Sequence, residues 1–360
     1  MEASARTGDG LSSVSGLGTS LSRGVLPSWA PYAVVLGVAA CVAALLAATG
    51  SFGIVLLIAV TLVVSAVVLY ATSRTVEGPR RASDRLVTLS ITAAFFLAVT
   101  PLVSVLYQVI KRGAARFDAD FFTESARGII GAGGGASHAI VGTLVITGCA
   151  TVISVPIGVM AAIYLTEYGK GRLRRAITFF VDVMTGIPSI VAGLFAYALF
   201  ELFLGPGIRL GIIGAVALSV LMIPIVIRAS EEVLKIVPNH LREAAYALGT
   251  PKWRTITKVV LPTALAGLVT AVMIAVARII GETAPLLVTT GVIDSVNSNP
   301  FEGRMQNLAV YAFGEYRNPG VQRDAAFDRA WAAALTLIII VMVLFLLARL
   351  IHRRFGTEIR

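Results

Sequence analysis

"LREAAYALGTPKW", residues 241–253, is a polar, charged stretch inside a chain that is otherwise largely apolar. Leu241, Ala244, Ala245 and Leu248 fall at i, i+3, i+4 and i+7, which is one face of a helix. Pro238 can open that helix, because a first-turn proline loses no helical hydrogen bond. Gly249 fits the position just past its end, where a positive φ is common. Thr250 then caps a new helix with Pro251 in its first turn. A helix resting on lipid favours Phe or Trp on its buried face. Paired alanines instead make a flat face that suits close approach to another protein. The stretch therefore predicts a docking helix at about 239–249.

That helix lies between membrane spans. Of 360 residues, 57% are hydrophobic and 14% charged, with a mean hydropathy of +0.85; a soluble domain is about 25% charged. Eight apolar runs, at 31–49, 52–72, 86–110, 138–166, 176–203, 208–227, 257–281 and 330–350, approach the ~20 residues that cross a bilayer as helix. The longer ones are expected to tilt or to continue past the lipid. The fold class is an all-α polytopic membrane protein. With the N-terminus placed in the cytoplasm, the inner segments hold 20 Lys and Arg and the outer ones nine. Both termini are thus expected to be cytoplasmic. The +10 net charge is mostly a topology signal and not a nucleic-acid footprint.

Residues 1–28, rich in Ser and Gly, read as a disordered cytoplasmic tail. No cleavable signal peptide is expected. The loop "RTVEGPRRASDR" (74–85) divides the chain: a two-span hairpin at 29–73 precedes it, and a six-span core at 86–352 follows, ending in a tail at 353–360. Between spans, "GAGGG" (131–135) reads as a hinge-like loop, neither helix nor strand. Residues 282–329, with "NLAVYAFGEYRNP" (307–319), predict a short outer helix or gate. Cys41 and Cys149 lie in apolar runs and read as small core residues. His138, His240 and His352 are scattered, so no zinc motif is formed. No phosphate-cradling GxxxxGK motif, nucleophile–base spacing or inverted repeat is present, which weighs against an ATPase, a membrane enzyme and a secondary transporter.

A few polar residues stand out within the spans. Arg278 lies inside a span at a cost of roughly 2.5–3.5 kcal/mol. Glu282, at i+4, can pair with it. The pair is either structural or faces a polar pathway, where a guanidinium would offer several donors to an oxyanion. Gly281 and Pro285 suggest that the helix breaks there, with Thr283, Thr289 and Thr290 as further hydroxyl donors. Arg228 ends the span "LSVLMIPIVIR", with Glu231 and Glu232 at pairing distance, and reads as an interfacial anchor or a pathway residue. Asp182 is expected to pair with an arginine of 172–175.

Glu243-Ala244-Ala245, Gly249, Val259 and Leu261-Pro262 together resemble the EAA loop of ABC importer permeases, with Val259 where that family usually has Ile. "VPIGVMAAIYLTEYGKG" (155–171), "IPSIVAGLF" (187–195), "PIVIRASEEVLKIVP" (224–238) and "ARIIGETAPLLVTTG" (277–291) resemble the PstA family of phosphate transport permeases, and the resemblance covers about 86–350. It implies a six-span type I ABC importer core in a bacterial inner membrane, preceded by an additional hairpin. It implies a coupling helix at 239–249 that seats in an ATPase, and a role for the Arg228 region in phosphate passage. The implied partners are a PstC-like permease, two copies of an ATP-binding PstB-like ATPase holding ATP-Mg, and an outer PstS-like phosphate-binding protein. No cofactor is expected on this chain. Molybdate or sulfate would be the alternative cargo, and a secondary transporter the alternative mechanism.

Overall fold

The computed structural model describes residues 24–50, 53–129 and 131–355. The tail expected at 1–28 lies almost wholly outside these residues, as does most of the one at 353–360. Among the described residues every regular element is helical. Their internal contacts fall into two groups, Met1–Leu106 and Tyr107–Arg360.

In the first group, α1 (Ala30–Ala48) and α2 (Ile54–Val76) form the predicted hairpin, and α3 (Pro79–Gly113) begins. Thr61, Ser65, Leu69 and Ser73 of α2 recur every four residues and are buried. The turn after α2 is fixed by Glu77, which is 6% exposed. Its carboxylate accepts from Arg85 Nε at 2.6 Å and Nη2 at 2.8 Å, from Ser73 Oγ at 2.7 Å and from the Leu26 amide at 2.9 Å. Burial alone would raise its pKa. The Arg85 hydrogen bonds outweigh that and carry it from 4.5 down to about 2.

In the second group, a single turn precedes α4 (Ala119–Thr123), and α5 (Ser137–Ile163) continues as a π-helical turn at Tyr164–Tyr168. Then come α6 (Gly171–Thr185), α7 (Ser189–Leu204), α8 (Gly211–Ile236), α9 (Asn239–Ala247) and α10 (Lys252–Thr255). A second π turn, Ile256–Val260, leads into α11 (Leu261–Ile280), followed by α12 (Ala284–Thr289), α13 (Leu308–Arg317) and α14 (Arg323–Phe355). Among the described residues of both groups, seven helices are long and apolar enough to cross a membrane, or eight if one bent pair is counted as a span. That pair corrects the expected straight span at 176–203: α6 and α7 meet at 108°. Pro188 disfavours helical backbone at the residue before it, and the helix ends at Thr185 with Gly186 as its cap.

The core of this group is centred on α8, whose Leu218, Met222 and Val226 pack with Ile146 and Ala150 of α5 and Ala275 and Ile279 of α11. Small residues allow the close approach, as expected where helices pack without a hydrophobic driving force. A Cβ on Gly158 of α5 would lie 2.6 Å from Val226 Cγ1. One on Gly193 of α7 would lie 2.6 Å from Pro285 Cα, so α12 rests directly on the α7 backbone.

Gly193→Ala is expected to lower the thermal midpoint of the detergent-solubilised protein: overpacking costs about 1–3 kcal/mol, against about 1 kcal/mol gained in helix propensity. Gly148→Ala, which meets nothing within 4 Å, should leave it unchanged or raise it. Equal behaviour of the two would remove the close approach as a constraint. The depressed Glu77 pKa means that its contribution is complete above about 4.5 and lost as pH falls toward 2. Hydrogen exchange of residues 73–85, corrected for intrinsic rate, should accelerate across that window in the wild type. In Glu77→Gln it should already be fast at neutral pH.

Candidate functional site

The 241–253 stretch forms the helix read from its sequence. Pro238 precedes α9 in extended backbone, and Gly249 follows with φ +74°. The Thr250 amide closes the helix end on Ala245 O at 3.1 Å. The face of four residues divides. Leu241 packs against the cluster that holds Leu234, Val237 and Val260, and Ala245 is buried, whereas Ala244 and Leu248 are exposed. Residues i and i+4 point nearly the same way, so the protein's own core takes one edge of the stripe and leaves the other free. Glu243, Tyr246 and Leu248 (86% exposed) of α9 and Trp253 of α10 are exposed as well. Leu261 joins the cluster beneath, and Pro262 occupies the first turn of α11, after the π turn.

One side chain fastens this loop to the spans. Arg242 donates to Glu167 Oε1 from Nε at 3.1 Å and Nη2 at 2.7 Å. It also donates to Val237 O at 2.6 Å and Leu234 O at 3.1 Å, which closes the end of α8. The two side chains are 14% and 6% exposed. Lys252 donates to Glu167 O and lies 4.9 Å over the Tyr168 ring. The turn that ends α5 is therefore tied to both sides of the 241–253 loop. Sequence reasoning missed Glu167; the signal was a carboxylate at the end of an apolar span, in "LTEYGKG".

Arg228 pairs with Asp182 of α6 and, at 3.0 Å, with Glu231, which also takes Lys235 at 3.1 Å. Asp182 thus does not pair within α6. Positions 178 and 179, one turn before it, are Thr and Phe, so no arginine of 172–175 is one turn away. Arg278 pairs with Glu282, the arginine side chain 63% exposed and the carboxylate 12%. The helix breaks at 281–283 as expected, and Asn307 Nδ2 donates to the freed Glu282 O at 3.3 Å. Thr283 precedes α12 without capping it through its side chain. Thr289 and Thr290 are not free donors: each hydroxyl bonds its own helix, at Pro285 O and Leu286 O. Among the described residues no hydrogen bond or ion pair joins the Arg228 and Arg278 clusters.

The 131–135 loop is neither helix nor strand, yet it is pinned. Arg329 donates to Gly131 O at 2.8 Å and Gly133 O at 3.1 Å while holding Glu315 of α13 at 2.7 Å. Arg116 donates to Gly134 O and Tyr311 to Gly135 O. Burial raises the pKa of the Tyr311 phenol, which keeps it protonated as a donor. Residues 307–319 do supply the expected short helix, α13, with Asn307 accepting from the Val310 amide at 3.1 Å.

Residues 154–360 match the family described as "Binding-protein-dependent transport system inner membrane component". Over 276 residues the chain is 45% identical to "Phosphate transport system permease protein PstA 1" of Mycobacterium tuberculosis, covering 76% of this chain and 88% of that one. Over 280 residues it is 38% identical to "Phosphate transport system permease protein PstA" of Yersinia pestis, covering 76% and 92%. Among solved structures it is similar to a chain of a bacterial alginate ABC transporter in complex with an alginate pentasaccharide-bound periplasmic protein. There the TM-score is 0.52 at 15% identity, over 79% of this chain and 99% of that one, a likeness of fold alone.

Breaking the buried Arg242–Glu167 pair from either side, by Arg242→Gln or Glu167→Gln, is expected to cost roughly 3–5 kcal/mol. The double substitution should cost less than the sum of the singles. Unfolding in detergent measures all three; strictly additive losses would show that the two side chains do not act as a unit.

Proposed function

The chain belongs to the PstA family of phosphate transport permeases, among the binding-protein-dependent inner membrane components, and we propose that it forms half of the pathway of an ATP-driven importer of inorganic phosphate. It is a multi-pass inner membrane protein and a permease subunit, with ATP hydrolysis in a separate subunit. In this reading both termini are cytoplasmic. The second half of the pathway is a PstC-like permease, two PstB-like ATPases bind ATP-Mg, and a PstS-like protein delivers phosphate from outside. The chain itself carries no cofactor.

The observation that carries the reading is the exposed edge of α9, backed by a buried ion pair. Glu243, Ala244 and Leu248 present a surface to the ATPase, and Gly249 sets the turn beside them. Force on α9 passes through Arg242 to Glu167 and the end of α5, and through Leu241 to α8. A shift of α8 moves Arg228 relative to Asp182 of α6. Along the pathway, Arg278 and Arg228 are the anion contacts. A guanidinium has five donors, enough to hold a carboxylate and still receive an oxyanion. Glu282, Asp182 and Glu231 thus orient the cations and compete with the cargo, which lets phosphate leave. Thr283 lies at the break beside Arg278. Molybdate or sulfate would use the same mechanism; the relatives' printed cargo favours phosphate.

Uptake of radiolabelled phosphate in a strain lacking the gene should be restored by the wild type, with sulfate and molybdate uptake unchanged. Gly249→Pro should reach the membrane but fail to restore uptake, because proline holds φ near −65° where +74° is needed. Arg278→Ala should lose about tenfold or more, the worth of a charge-assisted hydrogen bond. Normal uptake through Gly249→Pro would sink the coupling role; loss of sulfate or molybdate uptake instead would replace the cargo.

A further inference from the structure

Beside the Arg228 cluster lies a cavity of about 800 Å³, bounded by the 169–171 turn, α6 and α8. Its walls carry four cations, Lys170, Arg174, Arg175 and Arg228, against two carboxylates, Asp182 and Glu231. Both carboxylates are already committed to Arg228, and Glu231 also to Lys235. Among the described residues, Lys170, Arg174 and Arg175 have neither an ion pair nor a hydrogen bond. No acidic residue lies in the first turn of α6 to offset its arginines. Three cations thus line one concave surface without a carboxylate partner of their own. By contrast, Arg85, Arg242 and Arg329 are each closed on a carboxylate.

We propose that this cavity binds a phosphate oxyanion through Lys170, Arg174 and Arg175, at a site separate from the Arg278–Glu282 pair. Two guanidiniums and an ammonium supply charge-assisted donors to several oxygens at once. Two sources offer that chemistry. One is inorganic phosphate on the cytoplasmic side, where the 167–175 segment is placed by its basic charge. The other is the headgroup of an anionic lipid. Leu173, Phe179, Phe180 and Val183 of α6 are exposed, so the helix that carries the arginines also presents an apolar surface to the bilayer. The site goes beyond the proposed function; only its free-phosphate arm rests on that reading. Its first lining residue, Gly169, follows directly in the chain on Glu167 and Tyr168, which Lys252 contacts.

The test uses the assembled membrane complex with its ATPase and without the soluble binding protein. Two probes are measured: labelled inorganic phosphate on complex in phosphatidylcholine nanodiscs, and phosphatidylglycerol retained in native mass spectrometry after mixed-lipid nanodiscs. Arg174→Gln/Arg175→Gln is expected to weaken at least one probe by about tenfold or more. Arg172→Gln, on the same turn but outside the cavity lining, should leave both unchanged. Weakening of phosphate alone assigns a free anion, and of phosphatidylglycerol alone a headgroup; weakening of both gives a site that accepts either. Undiminished binding of both probes by the double variant overturns the site, and so does an equal loss in Arg172→Gln. If the double variant fails to assemble, Lys170→Gln is read in its place by the same criteria. Uptake is measured separately, so a wild type that binds phosphate here but imports another anion would remove the cargo and leave the site.

Discussion

A bilayer offers the chain no hydrogen bonds, and most of this structure follows from that constraint. It confines the backbone to helices and makes each interruption a place where freed groups must be covered. At the α6–α7 bend, the Ile187 amide is closed on Met184 O at 3.3 Å. At the α11–α12 break, the Glu282 amide is closed on Ile279 O, and its carbonyl accepts from Asn307. Burial within the protein, outside the bilayer as well, constrains charge in a similar way. Arg85, Arg242 and Arg329, all largely buried, are each held by a carboxylate.

The constraint also separates strength from function. The Arg242–Glu167 pair is almost enclosed, so it resists separation. Arg278 is mostly exposed beside a buried Glu282, which holds the guanidinium without saturating its donors. Arg228 is intermediate, shared between Asp182 and Glu231. Burial of the ion pairs is thus graded, from the enclosed pair at the 241–253 loop to the exposed guanidinium of Arg278.

Much of the site was legible because its residues are forced by local rules. Gly249 had to follow a helix end, and the positive φ is found there. Pro285 and Gly281 marked a break that the backbone does contain. Two of the misses share one cause, a partner distant in the chain. Asp182 was assigned to its own helix, but its partner comes from α8, 46 residues away. Glu167 gave only a weak signal, because its partner lies 75 residues on. The threonines of α12 looked like free donors, but in an apolar surrounding a hydroxyl turns back onto its own helix.

The sequence by itself determined the membrane class, most of the helices, and the short helix and glycine turn at 239–249, because hydropathy, periodicity and turn chemistry act over a few residues. Tertiary structure alone decided which carboxylate each cation received, which edge of α9 remained free, that 176–203 bends by 108°, and that the glycine loop is pinned by Arg329. Those outcomes depend on where helices distant in the chain approach one another. Close approach is set by small residues such as Gly158 and Gly193, whose partners no local pattern names.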